Sequence, residues 1–159
     1  METFFANFAN IIVFLHVISA IIWVGGMIAI RFAVHYSMAK VEDPKIKLGR
    51  TLESLQRFFN MVIPSIFILL ITAVIMILGF GFKGTELYNV VIIKEAIWMV
   101  MAVVFTIIYI KRNKAQRLFD SGDLPAAKEQ LAPLAGWMIP LNTVLGIVAV
   151  FLGVTLRGL

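Results

Sequence analysis

Leu15-His16-Val17-Ile18-Ser19-Ala20-Ile21-Ile22-Trp23-Val24-Gly25-Gly26-Met27 is a long apolar run that carries a histidine, a tryptophan and a glycine pair. Histidine is costly in hydrocarbon, so its presence there needs a reason. At helical spacing His16, Ala20, Trp23 and Met27 share one narrow stripe. The run reads as a membrane helix whose marked face points into protein.

The composition around it fits that reading. The chain has 159 residues, a single-domain length, with 61% hydrophobic and 14% charged residues. Soluble domains run at roughly 45–50% apolar and about 25% charged. The excess lies in long runs, so the expectation is an all-α integral membrane four-helix bundle in one domain, residues 1–159. Four segments suffice to cross a bilayer, which takes roughly 20 residues each. They are Asn10–Phe32, Phe58–Phe80, Tyr88–Ile110 and Pro133–Leu156. The first does not read as a signal peptide, because it lacks a basic n-region and its apolar stretch is too long.

The connections set the expected orientation. Val34–Arg57 carries Lys40, Lys45, Lys47, Arg50 and Arg57, and Lys111–Leu131 carries Lys111, Arg112, Lys114, Arg117 and Lys128. The connection Gly81–Leu87 is short. The positive-inside rule makes the two basic loops cytoplasmic and both termini external, which is periplasmic if the cell is Gram-negative. The net charge of +5 is therefore a topology signal and not a nucleic-acid footprint. The expected location is the inner (plasma) membrane, crossed several times. Lys47–Phe59, with Leu48, Leu52, Leu55 and Phe59 on one face, reads as an amphipathic helix at the inner interface. The bilayer is the first partner, and a homo-oligomer or a larger membrane complex is the second.

Few polar groups lie within the spans. Span two aligns Met61, Ser65, Thr72 and Met76 on one face. Span three aligns Lys94, Trp98, Met101 and Phe105, with Glu95 beside them. Span four aligns Asn142, Gly146, Ala149 and Gly153, a small-residue face suited to close helix packing. Helical rise puts His16 and Lys94 at matching depth, each roughly 6–8 Å outward of the bilayer centre. The expectation is one shared polar site. The plain alternatives are a histidine bonded to a neighbouring helix, a lysine that snorkels to the interface or pairs with Glu95, and a Gly25-Gly26 pair that only packs helices. His35 is 19 residues from His16, about 28 Å along a continuous helix, so the two cannot share a metal.

There are no cysteines, which excludes disulfides, iron–sulfur clusters, thiolate metal sites and c-type haem attachment. No hydrolytic triad, phosphate loop or HExxH motif is present. Two cofactors remain open. Haem b would take His16 as its one outer-side imidazole, with Trp23, Gly25 and Gly26 as packing context and a sixth position that is open or filled by a methionine, Lys94 or a symmetry-related group. Copper would take His16 with the thioethers of Met27 and Met76. A structural subunit of a membrane complex, packed through Asn142–Gly153, is the third reading.

The pattern His16, Trp23-Val24-Gly25-Gly26 resembles the first-helix signature of CopD-type copper-resistance membrane proteins and of HemJ-type protoporphyrinogen oxidases. Arg57-Phe58, Pro64, Leu70-Ile71-Thr72, Val91-Ile92-Ile93-Lys94 and Ile139-Pro140 extend the likeness over nearly the whole chain. The HemJ resemblance implies b-type haem, with His16 and Lys94 needed for activity and Lys94 as the catalytic candidate. The chain departs from that pattern at Val104-Phe105-Thr106, where a Tyr-His is usual, and at Ile30–Tyr36. The resulting expectation is a haem b redox protein that passes electrons to a quinone or oxidises a porphyrin, with copper handling as the alternative.

Overall fold

Asp43 and Asp123 mark the two sharp breaks in the chain. The Asp43 carboxylate accepts from the backbone N–H groups of Lys45 and Ile46 at 2.8 and 3.0 Å, and Pro44 follows it. The Asp123 carboxylate accepts from Ala126 N–H at 3.1 Å, with Pro125 in the first turn. Both are side-chain caps followed by a proline that fits the first turn of a helix. The third break, at Gly81, needs the left-handed conformation (φ 65°) that glycine adopts freely.

These breaks separate four long helices in the computed structural model, which describes residues 2–156. They are α1 (Asn7–Ala39), α2 (Pro44–Phe80), α3 (Tyr88–Asp120) and α4 (Leu124–Thr155), each long and apolar enough to cross a membrane. No strand occurs among the described residues. An outward belt of exposed apolar side chains, including Phe14, Phe67, Met99, Val103 and Phe151, clothes the bundle as a lipid-facing surface requires.

Neighbouring helices run antiparallel. The Phe5 ring meets Phe80 at 4.7 Å, which brings the start of the chain to the end of α2. A Cβ at Gly49, near the start of α2, would lie 3.2 Å from the Phe119 ring near the end of α3. One end of the bundle therefore holds both chain ends and the 81–87 connection. It is called here the terminal end. The opposite, basic end holds the 40–43 and 121–123 connections.

The helices outrun a bilayer. At 37 residues α2 is about 55 Å long, against a hydrocarbon core of about 30 Å. The surplus lies at the basic end. There Leu48, Leu52 and Leu55 of α2 are buried with Ala115 of α3 and Ala127 and Leu131 of α4. The amphipathic face of Lys47–Phe59 thus packs on its own bundle and not on the membrane interface. Leucine at this spacing serves either partner, and only the paired helices decide between them.

Proline and glycine shape the helices locally. Pro133 has no N–H to continue an α-helix, and the chain takes a π turn at Leu134–Met138 before Pro140 re-enters α geometry. A first π turn, Ile21–Gly25, lies in α1 between His16 and Met27. Trp23 within it and Met27 beyond it are fully buried, whereas His16 and Ala20 before it stay at the edge of the core.

The glycine pair divides its roles. A Cβ on Gly26 would overlap the buried Phe58 ring, whereas one on Gly25 would meet nothing within 4 Å. Gly26→Ala is therefore expected to destabilise the bundle by about 1–3 kcal/mol through overpacking. Gly25→Ala should be neutral or stabilising by up to about 1 kcal/mol, from helix propensity alone. Unfolding midpoints in mixed micelles compare the two directly, and equal midpoints would contradict this packing.

Candidate functional site

His16 faces α2. Its Nδ1 lies 2.9 Å from the Thr72 hydroxyl oxygen. That hydroxyl is 2.6 Å from the Ile68 carbonyl and 3.2 Å from the Leu69 carbonyl of its own helix. A hydroxyl has one proton, and the shorter contact takes it: Thr72 donates to Ile68. Toward His16 the Thr72 oxygen can then only accept, so Nδ1 carries the ring proton. In the neutral ring Nε2 is left as the lone-pair nitrogen. This is the arrangement in which a hydrogen bond behind a histidine fixes its tautomer and aims the other nitrogen at a ligand. The imidazole is half-buried, and its neighbours Leu15 and Val17 are exposed, so it borders the lipid-facing surface.

The contact register brings Lys94 to the same layer. A Cβ at Gly146 of α4 would lie 2.7 Å from Val24 of α1 and 3.2 Å from Met101 of α3, so three helices meet there. Two turns toward the terminal end come Val17, Gly153 and Lys94. The Lys94 Nζ lies 3.0 Å from where a Gly153 Cβ would be, so the side chain rests on that glycine. Lys94 is half-buried and has neither an ion pair nor a hydrogen bond among the described residues. Glu95 is exposed on the outer face of α3 and gives it no counter-charge.

The other expected site residues are placed differently. Trp23 is 1% exposed, with its ring 6.1 Å from Phe105 in an edge-on contact, so it is a core residue one layer inward. Gly26 seats Phe58, and Gly25 faces outward, so the pair forms no notch for a flat cofactor. Met27 is 2% exposed and lies 11 residues from His16, about 16 Å by helical rise. Met76 is half-buried one turn beyond Thr72. His16, Met27 and Met76 are therefore not brought to one point. Among the described residues no group of three or more His, Asp or Glu side chains assembles to hold a metal ion.

The small-residue face of α4 is occupied from within. Asn142 Nδ2 donates to the Met101 carbonyl at 3.2 Å, Gly146 admits Val24 and Met101, and Gly153 carries Lys94. It is an internal packing face.

Thr72 and Gly153 were not identifiable as partners of His16 and Lys94 from sequence, because a single chain carries no register between helices. Arg112 was also missed. Counted with the loop cations, it is 6% exposed and donates to the Leu52 carbonyl at 2.8 Å and to Gln116 at 3.0 Å. A comparison with known proteins finds no matching family model, curated protein or solved structure.

Thr72→Val keeps the shape and removes the acceptor. It should cost about 1–3 kcal/mol, because the His16–Thr72 hydrogen bond between the two helices is lost. The imidazole nitrogen shifts of labelled protein should change from a pure Nδ1–H tautomer to a mixture. An unchanged spectrum would refute the assigned donor.

Proposed function

We propose that this chain is a multi-pass membrane redox protein that holds haem b at the His16–Lys94 layer. The observation that carries the proposal is the His16–Thr72 hydrogen bond, in the same layer as an ammonium that has no counter-charge among the described residues. A neutral imidazole nitrogen suits the iron of a haem, and an unpaired lysine suits the carboxylate of a propionate. The resemblance of His16, Trp23, Gly25-Gly26 and Lys94 to CopD- and HemJ-type proteins supports the same assignment. With the basic loops facing the cytoplasm, the site lies in the outer leaflet.

The chain's own groups would act as follows. Thr72 holds the imidazole ring in one orientation and one tautomer. Lys94 pairs with an anionic group and so fixes the ligand's rotation about the His16 axis. The apolar side chains around them, Leu15 and Val17 included, keep bulk water from the site and strengthen that charge pair. Bound haem would supply one-electron chemistry, with a membrane quinone or a porphyrin as electron partner.

The copper reading rests on the same histidine. A bare copper ion there would meet one imidazole in the layer of a repelling ammonium, with Met27 out of reach. The geometry favours the ligand that brings its own negative charge.

Protein made in haem-replete cells should show a Soret band that His16→Ala abolishes. Lys94→Met should keep the band but weaken haem affinity roughly 10–100-fold, the worth of a charge-assisted hydrogen bond of about 1.5–3 kcal/mol. No Soret band, or stoichiometric copper in its place, would overturn the proposal.

A further inference from the structure

The bundle interior contains polar atoms that its protein neighbours leave open. Trp23 Nε1, Trp98 Nε1 and Asn142 Oδ1 are buried with no hydrogen-bond partner among the described residues. Trp23 is 1% exposed and Asn142 is 0% exposed. The two indoles can only donate, and the amide oxygen can only accept.

The three residues belong to adjacent layers of the bundle. Val24 and Met101 meet at Gly146. Trp23 precedes Val24, Trp98 is one turn from Met101 toward Lys94, and Asn142 is one turn from Gly146 toward the basic end. Asn142 also bonds the Met101 carbonyl through Nδ2. Helical rise spreads the three over about 10 Å along the bundle axis, in the order Trp98, Trp23, Asn142. Lys94, whose ammonium is also unpaired, is one turn beyond Trp98 at the terminal side. Four groups with open valences thus follow one another on the inward stripes of α1, α3 and α4.

Protein interiors satisfy such groups, and where side chains do not reach, ordered water does. A water molecule accepts from an indole and donates to an amide oxygen, which complements this set. We propose that a short file of ordered water runs from the Lys94 layer to Asn142, accepting from Trp98 and Trp23 and donating to the Asn142 carbonyl. It ends where Phe105 packs on Phe59 at 5.3 Å, since phenyl rings relay no hydrogen bond. The file gives the Lys94 layer a proton-exchanging path to the middle of the bundle and no farther. It stands on the interior geometry alone and is independent of whether His16 binds haem.

Two measurements on the full-length protein in micelles test it. Labelled indole N–H groups of Trp23 and Trp98 should show direct cross-peaks to water. The exposed Trp137 provides the reference signal. In a double-mutant cycle of Trp23→Phe and Asn142→Leu, both single changes should lower the unfolding midpoint, and their effects should be less than additive. Trp23→Phe also opens a cavity in the core, so its own cost is the same for a wet and a dry interior. Additive effects, or indoles without water cross-peaks, would each overturn the proposal.

Discussion

The approach of three helices at Gly146 sets the positions of everything described above. In lipid there is little hydrophobic drive between helices, so association depends on how closely backbones can pack. Gly146 lets Val24 of α1 and Met101 of α3 reach the backbone of α4 at one point. That contact fixes the axial register of α1, α3 and α4. Two turns along, the same register lays Lys94 on Gly153, in the layer of His16. A side chain at Gly146 would push the helices apart and displace a layer some 10 Å away. The candidate site is thus set by a packing contact that contains none of its residues.

The bundle meets the problem of a buried cation twice and answers it differently. At the basic end Arg112 is almost fully buried, and its guanidinium is spread over the Leu52 carbonyl, Gln116 and Asn113. Those bonds tie α3 to α2, and the residue is structural. At the terminal end Lys94 is left without any such acceptor, although the Glu95 carboxylate is next to it in sequence. Adjacent helical residues point about 100° apart, and Glu95 falls on the outer face. The Arg112 guanidinium finds three acceptors and leaves only its Nε without a partner, whereas Lys94 has no acceptor among the described residues. Thr72 uses its own proton on Ile68 and so holds His16 by Nδ1 alone.

Much of this was legible in the sequence, and the limits are physical. Hydropathy gave four spans, because a membrane helix must be apolar over its whole length. Helical rise gave the common depth of His16 and Lys94, which the contacts at Gly146 and Gly153 reproduce. Three features were not legible. Pairing across helices, such as His16 with Thr72, depends on register, which one sequence does not encode locally. The face at Leu48, Leu52 and Leu55 was recognised, but its partner was misassigned, because leucine packs on lipid and on helix alike. The π turn at Ile21–Gly25 changes which α1 residues face the core, and no propensity marks it beyond the glycines. Met27 lies in a different layer from His16 simply by helical rise, 11 residues along the same helix.

The two halves of the bundle are unlike, and this constrains any use of the site. Toward the basic end the interior closes into an aromatic run: Trp23 on Phe105, Phe105 on Phe59, and Phe59 on Tyr109 at 5.7 Å. Beyond Trp23 the phenyl and phenol rings offer no path for a charged group, whose entry into such a region is strongly unfavourable. Toward the terminal end lie the histidine, the lysine and the open indole of Trp98. His16 also borders the exposed side chains Leu15 and Val17. A ligand therefore reaches the site from the terminal end or sideways from the bilayer, and not through the basic half. A molecule that comes sideways must dissolve in lipid, and one that satisfies Lys94 must carry negative charge.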